Sequence, residues 1–428
     1  MNEFYLKQIE NLNNADINER LNSLSTIIEG IKKGDVKEPA AGNDVNNHIH
    51  TWYSFSPYSP TKAVYMAYVN GLKTAGIMDH DTLAGTREFI KAGEIVGIAT
   101  TIGVELRVSM DNTPLKGMKI NNPDQNSIVY MAMHGIPHSQ IDMIQDYVSP
   151  YREKRNIRNQ QMVSKLNELT SDYGIELDFE NDVIPLSKWN EGGSVTERHI
   201  SYALAIKMVE KFGKGDLLVD LYKNKMGLPL SAKNEGLLLD DNNCVYEYDL
   251  LGAIKSDMID KFYINATDEC PDVQEALSIC EKAGAISAYA YLGDIGDSVT
   301  GDKKPQKFED AYLEDLFKIL KKLRFNAVTY MPSRNTIDQL NRVKMLCDYH
   351  ELFQISGEDI NSPRQKFICD AMRNPVFGNL QDSTWALIGH EKQASMNINY
   401  GMFSESVMEE IPDLYDRIEL YKKRGLSR

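Results

Sequence analysis

His48 and His50 stand one residue apart in Asn47-His48-Ile49-His50-Thr51, and that spacing constrains the chain around it. In an extended strand residues two apart face the same way, so both imidazoles enter one space with Ile49 packed behind. On a helix the two rings would diverge by about 200°. Two neutral imidazoles converging at a strand end suit a divalent transition metal. The pair needs further donors, and acids and histidines follow along the chain: Asp79-His80-Asp81, then Glu105, then His134, then Glu358-Asp359.

The text around these residues reads as alternating strands and helices. Apolar residues from Leu6 to Ile27 fall at helical spacing and predict one helix over residues 1–35. A turn-rich joint at 38–44 leads into a strand at Val45–His50. Ser59 or Thr61 caps the next helix near Pro60, with Ala63, Val64, Ala67 and Leu72 as its apolar face. Ile77-Met78 runs into Asp79-His80-Asp81, another helix follows Gly85, and Ile95–Leu106 holds a strand with Glu105 at its end. Ile128–His134 is β-prone and ends on His134. From 139 to about 240 the text turns helical, and the Lys and Arg run at 151–158 reads as a solvated helix face. Strands return at Ala285–Tyr291, Asn326–Tyr330 and Phe353–Ser356, with helices at Tyr312–Leu323 and Thr336–Tyr349 between them.

Strands that end in a potential ligand, with helices between, predict an α/β barrel whose chemistry collects at the C-terminal strand ends. A barrel core takes about 250 residues, and the chain has 428. The expected organisation is a helical arm (1–44), a first barrel part (45–138), a helical insertion (139–244), a second barrel part (245–363) and a helical tail (364–428).

Charge narrows the partners. A net charge of −15 opposes broad contact with duplex phosphates, although a metal and a few local cations can still take a small anion. The five cysteines are odd in number, scattered and without a C-x-x-C pair, which predicts reduced thiols in a cytosol rather than a disulfide framework. The first sixteen residues are too polar for a signal peptide, and no apolar run approaches the roughly 18 residues of a membrane span. The expected location is cytoplasmic, with neither a membrane nor a nucleic-acid duplex as partner.

In this order, His48-x-His50, Asp79-His80-Asp81, Gly103-Val-Glu105, His134 and Gly357-Glu-Asp359-Ile-Asn361 resemble the PHP (polymerase and histidinol phosphatase) superfamily. The resemblance covers about residues 45–138 and 245–363 and is nearest to stand-alone phosphoesterases with a helical insertion. It implies a distorted (β/α)7 TIM-like barrel with up to three divalent metals. His48, His50, Glu105 and Asp359 would hold one metal, Glu105 and His134 a second, and His80 a third. Three positions depart from the family pattern: Phe55 stands for an acid or histidine, Tyr291 for a second-metal histidine, and Asn361 for a third-metal histidine. One complete site and a second, poorer one follow, and Zn, Mn or Fe suits such donors.

The implied activity is that of a metal-dependent hydrolase, a phosphoesterase acting on a small phosphorylated metabolite or nucleotide through metal-activated water. His80 and Tyr291 are the candidate catalytic groups. Arg198 and His199 resemble the family's Arg-Pro-His-Ile element, associated with substrate phosphate. Arg107, Arg364 and Asn361 are further substrate-binding candidates, since a guanidinium fork bonds two phosphate oxygens at once. Two alternatives remain open: a degenerate PHP-like binding or regulatory module, and a hydrolase of a C–N bond.

Overall fold

The computed structural model describes residues 2–294 and 306–427. Helices α1 (Glu3–Glu10) and α2 (Ile17–Lys33) form the N-terminal arm. The expected single helix is broken because Asp16 caps a fresh start, its carboxylate accepting from the amides of Asn18 and Glu19. The first half of the barrel follows: β1 (Asp44–Ile49), α3 (Pro60–Val69), β2 (Leu72–His80), α4 (Thr86–Val96), β3 (Ala99–Ser109) and β4 (Ile128–His134). Ser59 caps α3 with Pro60 in its first turn, whereas Leu72 belongs to β2. Helices α5 (Ile141–Thr170), α6 (Glu197–Phe212), α7 (Asp216–Asp220), α8 (Ala232–Leu239), α9 (Tyr246–Asp257) and α10 (Ile259–Phe262) intervene. Then come α11 (Val273–Ala283), β5 (Ile286–Ala290), α12 (Leu313–Leu323), β6 (Ala327–Tyr330), α13 (Ile337–His350) and β7 (Phe353–Ser356). The tail holds α14 (Gly378–Met396), α15 (Glu405–Glu410) and α16 (Leu414–Leu426).

The seven strands pair in sequence order, β1 to β7. All neighbours are parallel except β4, which runs against both β3 and β5. No helix separates β3 from β4, so the strict strand–helix alternation fails there, and β3 runs on past Glu105 to Ser109. The sheet curls until β1 meets the segment after β7. The His50 amide donates to the Ile360 carbonyl at 3.0 Å, and the Ile360 amide to the His48 carbonyl at 3.1 Å. Closure needs Gly357, where a Cβ would lie 2.6 Å from the His48 Cβ and 2.7 Å from its backbone nitrogen.

Strand parity separates two apolar layers. Tyr289, Tyr291, Val328 and Tyr330 pack outward with the surrounding helices. Ile286, Ala288, Ala327, Phe353 and Ile355 face inward and meet Ala386 and Leu387 of α14. α14 therefore fills the lower end of the barrel, fastened by Asn47 to Thr384 (2.8 Å) and by Glu391 to Thr101 (2.7 Å) and the Ile102 amide (2.8 Å). That leaves the opposite end for the donor residues.

α5, about 45 Å long, spans two cores. Its first half, through Val148, packs with the barrel, and from Met162 it joins a second apolar cluster that runs on to Phe262. The arginine run, expected to be solvated, is instead buried at Arg152, Arg155 and Arg158.

Candidate metal centre

Five donors reach the open end of the barrel from four strands. His48 stands near the end of β1 and His50 directly after it, their ring centroids 5.1 Å apart. His80 ends β2 and is paired in register with Glu105 of β3, which brings its Nδ1 to 3.0 Å from Glu105 Oε2. Asp359 follows β7 two residues beyond Gly357, with its Oδ1 3.2 Å from His50 Nε2. His48 Nε2 lies 3.9 Å from Glu105 Oε2. Two trios result, His48–His50–Asp359 and His50–His80–Glu105, each with donor atoms within 4.8 Å of one another. His50 is common to both.

These groups suit a cation. His50 is buried, and despite the nearby Asp359 its Nε2 is not aligned for a hydrogen bond with any group. Leaving such an atom unsatisfied is costly, and a metal answers it. Burial alone would raise the Glu105 carboxyl, but the imidazoles of His80, His48 and His50 outweigh it and hold the group at about 2. Burial opposes ionisation of Asp359 too, yet His50, His48 and Arg198 hold it well below the usual range. Both carboxylates are thus charged at neutral pH. Asn361 steadies Asp359, its Nδ2 donating to Oδ1 at 2.6 Å.

Behind His50 lies a chain of hydrogen bonds. Its Nδ1 is 3.1 Å from Ser54 Oγ, and that hydroxyl donates to Asp79 Oδ1 at 2.6 Å. Asp79 also accepts from the Thr51 amide (2.7 Å) and the Thr51 hydroxyl (2.6 Å). Nearby, Phe55 adopts φ 96°, a strained value for a bulky residue. Its ring packs edge-on to His199 and Tyr202 at centroid distances of 5.0 and 5.6 Å.

A match to the PHP domain family covers residues 46–326. The chain belongs to the PHP family. A segment of 74 residues is 34% identical to a 5'-3' exoribonuclease of Haemophilus influenzae, covering 17% of this chain and 27% of that protein. The chain thus spans only about a quarter of that relative's length. A crystal structure from Bifidobacterium adolescentis, of a protein assigned as a metal-dependent phosphoesterase, superposes with a TM-score of 0.50 at 20% identity. It covers 79% of this chain and 96% of its own. An amidohydrolase from Chromobacterium violaceum, solved with bound sulfate and no metal, gives 0.49 at 18% identity, covering 76% and 90%. The first of these likenesses shows the fold. PHP membership and the clustered donors together fit a site for a divalent ion.

The PHP barrel sorts the other residues singled out from the sequence. His134 lies opposite Gly103, two residues before Glu105, because β4 is antiparallel. It is therefore deeper in the barrel and belongs to neither trio; burial lowers it to about 3. Tyr291 follows β5 directly, packs in the same outer cluster as Tyr289, and its hydroxyl donates to Asp310 at 2.6 Å. One residue past the end of β5, Tyr291 thus turns its hydroxyl to Asp310 and belongs to neither donor trio. Arg107 faces inward beyond Glu105, but its guanidinium bonds Glu269 at 2.5 Å. His199 is fully buried, and its Nδ1 accepts from the Thr196 amide at 2.9 Å in a capping box. Arg198 and Arg364 line a cleft of about 480 Å³ between the insertion and the segment after β7, with Tyr248, Lys233, Asp359 and Asn361. Arg364 is held by both oxygens of Asp249 at 2.6 Å.

Sequence reasoning missed a buried ionic network beside the centre. Arg155 bonds Asp81 (2.5 Å) and Glu197 (2.7 Å), and Arg158 bonds Glu269 (2.9 Å) and Glu197. A signal existed. Arg152, Arg155 and Asn159 continue the helical stripe of Val148, Met162 and Leu166, and residues on that stripe go inside.

Proposed function

We propose that the protein is a phosphoesterase that hydrolyses a small phosphorylated substrate at the open end of the barrel. The observation that carries this reading is the convergence of five donors on one space, with His50 shared by both trios. In this reading His48, His50 and Asp359 hold the ion and His80 and Glu105 close the set. A divalent Zn, Mn or Fe ion there supplies a Lewis acid and an activated water.

The chain's own groups orient and enclose the substrate. Arg198, whose charge acts on Asp359, stands where the cleft meets the donors and can fork onto phosphoryl oxygens. Asn361 keeps Asp359 from rotating. Phe55 and His199 close the wall between the β1 loop and α6, which excludes water from that side.

The test is protein stripped of metal, reloaded with Mn or Zn, and assayed across phosphomonoesters and phosphodiesters. Turnover is expected and is abolished in His50→Ala, with about one metal per chain by elemental analysis. Loaded protein that cleaves nothing in the panel overturns the reading.

One observation favours a second reading, hydrolysis of a C–N bond. The guanidiniums of Arg107, Arg155 and Arg158 are matched by the carboxylates of Asp81, Glu197 and Glu269. That network offers a phosphate dianion little net charge. Cleavage of amides by loaded protein that leaves phosphate esters intact would select it.

A further inference from the structure

We infer that Ser54 and Asp79 are positioning residues that fix which nitrogen of His50 is offered to the metal. The inference rests on the donor cluster binding a metal, and its argument is one of proton direction. Ser54 has a single hydroxyl proton, and the geometry sends it to Asp79 Oδ1 at 2.6 Å. Both oxygens of that carboxylate act as acceptors in this geometry. Asp79 takes three donors, the Thr51 amide, the Thr51 hydroxyl and Ser54, so nothing in its surroundings asks it to donate. With its proton committed, Ser54 Oγ can meet His50 Nδ1 at 3.1 Å only as an acceptor. The proton of neutral His50 is therefore on Nδ1, and the lone pair is on Nε2.

Nε2 is the nitrogen that faces Asp359 and has no hydrogen-bond partner of its own. The relay is also rigid. Ser54, Thr51 and Asp79 are each at most 1% exposed, so water does not compete for these bonds. All three donors come from the loop after β1, and the carboxylate they share belongs to the penultimate residue of β2. The loop that begins at Thr51 is thereby tied to the strand that ends in His80. Partners of this kind behind a ligating histidine typically change metal affinity by about 10–100-fold when removed.

The substitutions differ in direction. Ser54→Ala deletes the acceptor and leaves the imidazole free to take either tautomer. Asp79→Asn can reverse the chain: the amide donates to Ser54, Ser54 donates to Nδ1, and the proton moves to Nε2, where it blocks the metal. Zinc affinity by competition with a chromophoric chelator should fall about 10–100-fold in Ser54→Ala and further in Asp79→Asn. In metal-free wild-type protein at alkaline pH, nitrogen-15 chemical shifts should report His50 protonated on Nδ1. Zinc affinity unchanged in Ser54→Ala, or a proton on Nε2 in the wild type, overturns the inference. Should Asp79→Asn fail to fold, Ser54→Ala and the wild-type spectrum decide. A wild-type protein that binds no zinc sinks the hydrolase reading, while the spectrum still tests the relay.

Discussion

At Gly357 the closure of the barrel and the assembly of the metal centre become one event. Its backbone passes so near His48 that a methyl group has no room. Gly357→Ala should therefore shift His48 away from Asp359, cost about 1–3 kcal/mol by overpacking, and weaken zinc binding. Urea unfolding and metal titration on the same variant check both. Tyr291 provides the contrast. Tyr291→Phe removes one hydrogen bond to Asp310, worth about 1 kcal/mol, and should leave metal affinity unchanged, since the residue packs in the outer cluster and belongs to neither donor trio. A loss of metal affinity there would return Tyr291 to the site. The histidine pair and both carboxylates were legible because their chemistry is carried by residue type. The placement of Tyr291 depends on the pairing of β5, whose register has to be known first.

Between elements, buried ion pairs do the fastening. Arg20 of α2 bonds both oxygens of Glu88 on α4, at 2.8 and 2.5 Å, and Thr61 adds its hydroxyl to the same carboxylate at 2.6 Å. Arg20 also stacks on Trp52, two residues past His50, at 4.8 Å. Arg20→Ala leaves Glu88 buried without its cation and should cost about 3–5 kcal/mol in chemical denaturation. If the variant is as stable as the wild type, the arm is not part of the folded unit. On the insertion side, the Arg155–Glu197 and Arg158–Glu197 pairs join α5 to α6, while Arg155 and Asp81 reach the end of β2. Apolar spacing predicted α5 itself. The burial of its arginines depended on which face met the barrel, and charge alone argued the other way.

For the molecule as a whole, the tail is structural. α14 presents Ala386 and Leu387 to the inner faces of β5, β6 and β7, and Glu391 reaches β3 while holding His138 Nε2 at 2.9 Å. Glu391 raises the His138 value above the usual 6.5, mainly through that hydrogen bond. A raised folded-state value means the fold favours the charged imidazole. The contribution is fully present below 6.5 and is lost as pH rises through the folded-state value. Melting temperature against pH should therefore decline over that window in the wild type and stay flatter in His138→Gln. Equal slopes in the two proteins would show that the pair adds nothing.

Among the described residues, no helix is long and apolar enough to cross a membrane. Motif order, strand ends and helical spacing were enough for the family, the curled α/β sheet and the donor types, because each is written in a few neighbouring residues. Which donors come to lie together was not. His80 joins Glu105 through strand register, His134 drops below them because β4 runs backwards, and Asp359 reaches His50 only once the sheet has closed. Those placements arise from pairings between residues far apart in the chain, and no local pattern encodes their geometry.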